Sequence, residues 1–254
     1  TGLIRVVLAA AAALAGGAVN SIAGGGTLIT FPALVALGVP PIVANATNTV
    51  ALWPGALGSL LGYRAELKGL RRWVLWFAVP SVLGGTVGAI LLVLTPPSKF
   101  ESLAPWLVLG ATLLFQAQRW LARARRSDQG AGGRPPVRVP AAMFHAQFLV
   151  AVYGGYFGAG IGILMLAALG YMGFSNIHQM NGLKNWGGLC INLTAALAFA
   201  TAGIVDWKLA AAMALAAVAG GYLGSRLALC FPQQWVRRAV VAIGIAATSW
   251  LLVR

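Results

Sequence analysis

The sequence predicts an all-α polytopic membrane protein made of two five-segment repeats, inverted relative to each other, each with one short helix after a glycine-rich break. Three observations predict it. The first is composition: 59% of the 254 residues are hydrophobic, only 9% are charged, and the mean hydropathy is +0.84. A soluble domain carries about 25% charged residues. The second is a pair of undersized apolar runs, Thr27–Leu37 and Ile161–Met172. At about 1.5 Å per residue each covers only half of a ~30 Å hydrocarbon core. The third is self-similarity at an offset of about 135 residues, a kind of duplication worth seeking before anything else. It sets Gly38 against Gly173, Asn45 against Asn181, Gly84-Gly85 and Gly88 against Gly220-Gly221 and Gly224, and Pro96 against Pro232.

In chain order, Leu3–Ile22 is the first apolar run and carries Asn20 near its end. The apolar stretch Leu3–Ala23 reads as a span that is kept rather than a cleaved signal peptide. Gly24-Gly25-Gly26 then interrupts it, because consecutive glycines support a helix poorly and leave backbone groups open. In a bilayer such a break survives only where protein or a water-filled cavity satisfies those groups. The short run Thr27–Leu37 ends at Gly38 and Pro40-Pro41. Ile42–Tyr63 spans next and opens on the polar cluster Asn45, Thr47, Asn48 and Thr49 before Trp53. A basic loop from Arg64 to Arg72, the span Trp73–Leu94, the turn Thr95–Lys99 and the span Leu103–Leu121 complete the first half. The first repeat is residues 1–121, a basic linker occupies 122–138, and the second repeat is 139–254.

The second half repeats this order. Val139–Phe157 spans, and Gly154–Gly160 makes the second break. Ile161–Met172 is short, and Ile177–Ala202 opens on His178, Gln179, Asn181, Lys184 and Asn185 before Trp186. Lys208–Cys230 and Trp235–Val253 close the chain. Isolated glycine pairs within spans (Gly58/Gly62, Gly84/Gly88, Gly220/Gly224) read as close helix contacts.

The formal charge of +14 would suggest nucleic acid in a soluble protein. Here most basic residues lie in short loops and the linker, where cytoplasmic placement explains them. No nucleic-acid partner is expected; the lipid bilayer is. If each short segment completes a crossing, the halves are inverted and the basic loops share one side. If the short segments are re-entrant, Arg237 and Arg238 fall on the other side, so loop charge favours inversion.

Gly24–Pro32, Leu37–Pro41, Ala44–Asn48 and Gly203-Ile204-Val205-Asp206-Trp207 resemble the TauE/SafE family of sulfite and organosulfur-anion exporters, over essentially the whole chain. The resemblance implies transport of a small anion across a bacterial cytoplasmic (inner) membrane. It supports an anion transporter better than any one substrate among sulfite, sulfoacetate and other sulfonates.

Site candidates follow from the breaks and clusters. A helix N-terminus carries roughly half a positive charge and binds anions without a basic side chain. Gly24, Gly25, Gly26 and Thr27 at one break, and Gly158 and Gly160 at the other, are therefore candidate substrate contacts. Asn45, Thr47, Asn48 and Trp53 would join them from one span, with Gln179, Asn181, Lys184, Asn185 and Trp186 from its partner. Intramembrane polar groups are expensive to keep, which favours function; capping, snorkelling and interfacial aromatic belts are the competing structural roles. His178 and Lys184 are the candidates for proton coupling. All four acids, Glu66, Glu101, Asp128 and Asp206, lie in loops or at span ends, so no buried carboxylate serves a proton or sodium site. Neither the two histidines nor the two cysteines form a nucleophile–base pair or a metal-ligand cluster. No enzyme activity, cofactor or metal is expected. The leading expectation is a secondary transporter, exporting by alternating exposure of a midplane site. The alternatives are an anion channel or uniporter of the same architecture and a structural membrane subunit.

Overall fold

An apolar segment facing lipid must satisfy its backbone N–H and C=O groups internally, which a helix does. The computed structural model describes residues 2–22, 25–62, 66–128, 141–171, 174, 176–227 and 233–253, and among these the secondary structure is helical, with no strand. The helices are α1 (Gly2–Ile22), α2 (Thr27–Ala36), α3 (Pro41–Gly62), α4 (Arg71–Leu94), α5 (Pro97–Asp128), α6 (Ala141–Tyr156), α7 (Ile161–Tyr171), α8 (Ile177–Thr201), α9 (Trp207–Leu227) and α10 (Gln233–Val253). Among the described residues, Gly2–Asn20, Arg71–Leu94 and Pro97–Ala117 are long and apolar enough to cross a membrane. The two short runs form helices of 10 and 11 residues.

Local chemistry sets the ends. Pro41 and Pro97 open α3 and α5, where a missing N–H costs nothing. Asn176 caps α8, its Oδ1 accepting from the amides of His178 and Gln179. Asp206 caps α9, its Oδ1 accepting from the Leu209 amide at 3.1 Å. The boundaries of α5 and of the second break differ from the reading of the sequence: α5 opens at Pro97 rather than near Leu103 and continues through Asp128 rather than stopping near Leu121, and α6 runs through Tyr156, so Gly154 and Gly155 are helical. Arginine is a good helix former, so the basic stretch Arg119–Arg126 extends the helix although it ends the apolar run. The remainder of the linker, and with it Gly24, lies outside the described residues.

α1 packs along α9 and α4 along α6; α3 touches both α8 and α9, α8 also meets α4, and α5 pairs with α10. α2 lies against α1, α3 and α10, and α7 against α6, α8 and α5. At two of these crossings the backbones touch. A Cβ on Gly220 would stand 2.0 Å from the Leu14 carbonyl oxygen, and one on Gly84 would stand 2.5 Å from that of Phe148. Any larger side chain would push the helices apart. The core gathers Phe31, Phe100, Phe115, Phe157 and Phe199, with Phe31 and Phe157 edge to face at 5.3 Å. α4 leaves Leu75, Trp76, Val79, Leu83 and Ile90 exposed on its outer side, the kind of surface a bilayer covers.

Candidate functional site

The two glycine links, between α1 and α2 and between α6 and α7, come together on α5. A Cβ on Gly25 would meet the Phe115 ring at 2.8 Å, and one on Gly160 would lie 3.8 Å from Ala111, one turn earlier on that helix. Both glycines have positive φ, +129° and +80°. A side chain of the preceding helix holds each link. The Gly25 amide donates to Asn20 Oδ1 at 3.3 Å, and the Tyr153 hydroxyl donates to the Ala159 carbonyl at 2.7 Å.

Between the links lies a cavity of about 160 Å³. A single water needs only ~10–15 Å³ of such space. Gly25 and Thr27 line it from the first link and the start of α2, and Gly158, Gly160, Ile161 and Gly162 from the second link and the start of α7. α3 contributes Asn48, Thr49, Leu52 and Ala56; α8 contributes Lys184, Asn185, Gly188 and Asn192. These two sets share one spacing, so each is a stripe along a single helix face. Asn20, Phe157, Ile163, Met165 and Leu166 complete the lining. Among the described lining residues Lys184 alone is charged, and none is a carboxylate. The stem of Lys184 runs along the first turn of α7, its Cδ 3.1 Å from where a Cβ on Gly162 would sit. At the start of α2 the Leu28 and Ile29 amides donate to the Gly25 and Gly26 carbonyls, and at α7 the Ile163 amide donates to the Gly160 carbonyl, all at 3.0 Å; the Ile161 and Gly162 amides have no backbone acceptor among the described residues.

Of the candidates read from the sequence, Gly25, Thr27, Asn48, Gly158, Gly160, Lys184 and Asn185 thus stand on one cavity. Others do not, and their partners say why. Asn45 is buried with its Nδ2 donating to the Tyr156 carbonyl at 2.9 Å, joining α3 to the end of α6. Thr47 Oγ1 accepts from the Asp206 amide at 3.0 Å, joining α3 to the start of α9. Trp186 Nε1 donates to the Val74 carbonyl at 3.0 Å, away from the cavity. Gly26 packs against the backbone of Gly16 on α1. Gln179 and His178 belong to the capped first turn of α8, where His178 is exposed. Asn181 and Trp53 are off the lining, the Trp53 Nε1 being buried with no partner among the described residues. Thr49 of the polar cluster on α3 is on the lining too, whereas Asn20, Gly188 and Asn192 are lining residues outside the candidates. Gly188 and Asn192 follow Lys184 by four and eight, a signal that becomes usable once Lys184 is chosen as the anchor. Among the described residues no group of His, Cys, Asp or Glu could hold a metal ion.

The sulfite exporter TauE/SafE family model matches residues 8–251. Among curated proteins, the chain is similar to a probable membrane transporter protein of Haemophilus influenzae, 29% identical over 91% of this chain and 88% of that one. It is similar also to the probable membrane transporter protein ORF9 of a Sinorhizobium species, 29% identical over 95% and 90% of the two chains. A third relative is the probable membrane transporter protein YfcA of Escherichia coli K12, 29% identical over 94% and 87%. No solved structure matches the chain.

Proposed function

The chain belongs to the sulfite exporter TauE/SafE family of membrane transporters, and from that premise we propose that it is a secondary transporter, working as an exporter, of a small sulfur-containing anion. The observation that carries this reading is Lys184 beside the start of α7, on a cavity whose described lining holds no carboxylate. Helix N-termini and an ammonium group are the donors an oxyanion needs, and the neutral amides and hydroxyls beside them orient it without adding charge that would hinder release. The bound anion is sulfite, sulfoacetate or another sulfonate, and the membrane is the bacterial cytoplasmic one.

Alternating access follows from inverted repeats with broken helices, an arrangement that puts the substrate at helix breaks near the midplane. The packing supports such repeats: exchanging each helix for the one five places on turns the α1–α9 contact into α6–α4 and the α3–α9 contact into α8–α4. The same exchange carries the Gly220–Leu14 approach onto Gly84–Phe148. In an inverted arrangement the loop Arg64–Arg72, the linker and Arg237-Arg238 all face the cytoplasm.

Counterflow in proteoliposomes tests the mechanism. Vesicles loaded with unlabelled sulfite or sulfoacetate should accelerate saturable entry of the labelled anion. Flux that rises linearly and ignores the anion on the far side would identify a channel; no flux of any sulfur-containing anion would remove the assignment.

A further inference from the structure

The cavity wall mixes one charged group, neutral polar groups and an apolar set. Lys184 stands at the start of α7. At the corresponding start of α2 the Leu28 and Ile29 amides donate to the Gly25 and Gly26 carbonyls, both at 3.0 Å, and Asn48 bonds to the Thr27 hydroxyl and contacts that of Thr30. Met165 and Leu166 lie one turn into α7 on the faces of Ile161 and Gly162, and Leu52 and Ala56 lie one and two turns beyond Asn48 on α3. On α8, Gly188 follows Lys184 by one turn and Asn192 by two, and a Cβ placed on Gly188 would meet nothing within 4 Å.

We infer that the transported anion is singly charged and bears a short unbranched hydrocarbon tail, with its head at Lys184 and the start of α7 and its tail in the trough between Leu52, Met165, Leu166 and Gly188. This rests on the transporter reading above and narrows its substrate. A bare inorganic oxyanion would leave Leu52, Met165 and Leu166 without an apolar partner. A dianion would bring a second charge to a described wall that offers one lysine, so it should bind more weakly than a monoanion of the same size. A monoanion with a tail uses both the lysine and the apolar residues.

The test is calorimetric titration of the purified full chain with methane-, ethane-, propane-, butane- and hexanesulfonate, and with sulfite and sulfate. A buried methylene contributes ~0.8 kcal/mol, so affinity should rise about fourfold per carbon while the tail fits. It should fall at hexanesulfonate, when the space is full, and the two inorganic anions should bind more weakly than propanesulfonate. Gly188→Val fills the trough. It should leave methanesulfonate affinity within about twofold and abolish the gain per methylene, with Gly188→Ala intermediate. Because the added atoms point into open space, both variants should melt like the parent. A flat series, sulfite binding more tightly than every sulfonate, or a gradient untouched by Gly188→Val would overturn the tail while leaving an anion transporter in place. Absence of binding by all seven anions, together with absent counterflow, would overturn the transporter reading itself.

Discussion

The starts of α2 and α7 are two versions of one arrangement, and they differ in the side chain that lies across them. Position 48 is the eighth residue of α3 and position 184 the eighth of α8, and each side chain lies against the first turn of a short helix. At α2 that side chain is Asn48, buried, with Nδ2 donating to Thr27 Oγ1 at 3.4 Å and Oδ1 in contact with the Thr30 hydroxyl. Thr30 Oγ1 in turn lies 3.0 Å from the Gly26 carbonyl. At α7 the side chain is Lys184, which stretches over Gly162 and meets no carboxylate on the cavity wall. An amide of modest reach closes one helix start; a cation beside an already positive helix end leaves the other in want of a counter-charge. Equivalent positions on α3 and α8 thus carry an amide that bonds to side chains of one short helix and an ammonium that lies over the first turn of the other.

The largest effects should come from disturbing the links themselves. Gly25→Ala both forces an L-residue to φ +129° and drives its Cβ to 2.8 Å from the Phe115 ring. Backbone strain and overpacking together should cost roughly 2–6 kcal/mol. Gly160→Ala meets only ordinary contact at 3.8 Å, so strain alone, about 1–2 kcal/mol, should remain. Gly160→Asn should recover part of this, since asparagine tolerates positive φ. Thermal melting of the purified variants measures the difference, and equal destabilisation would mean that the two links are held alike.

Lys184→Met addresses the open helix start. Losing a charge-assisted hydrogen bond is worth about 1.5–3 kcal/mol, so sulfonate affinity should fall roughly 10- to 100-fold. Melting temperature should hold or rise, because an apolar chain of similar length replaces an unpaired cation. A variant that binds normally would show that the anion sits elsewhere.

Much of the fold is legible in the sequence because its signals are local. Hydropathy marks the runs, and Gly38, at positive φ, marks the end of the first short one; Pro97, read as part of a turn, instead opens α5. The glycine links are legible for the same reason. The polar clusters are less so, since an asparagine in an apolar helix announces that it needs a partner without saying which. Asn45 and Asn48 share a helix face, yet Asn45 is spent on the Tyr156 carbonyl of α6 and Asn48 faces the cavity. Thr47 is spent on the Asp206 amide, 159 positions away in sequence. Gly188 is the opposite case: its role is the space it leaves, and a missing side chain in a small-residue run carries no mark of what lies across from it.

Asn48→Ala is the counterpart at the closed start, and its effect should be smaller and of another kind. The substitution strands the Thr27 hydroxyl, which loses its donor, and removes the acceptor beside Thr30, which keeps the Gly26 carbonyl. Leaving such a group unsatisfied costs about 1–3 kcal/mol, and the retained Gly26 bond together with water entering from the cavity puts the expected loss near 1 kcal/mol. With the anion's head placed at α7, as proposed, affinity for propanesulfonate should change less than about threefold. The two variants then separate two roles with two measurements: Lys184→Met moves binding and spares melting, Asn48→Ala moves melting and spares binding. If Asn48→Ala instead weakened binding as much as Lys184→Met, both helix starts would share the guest, and the division between joint and site would give way to a symmetric clasp.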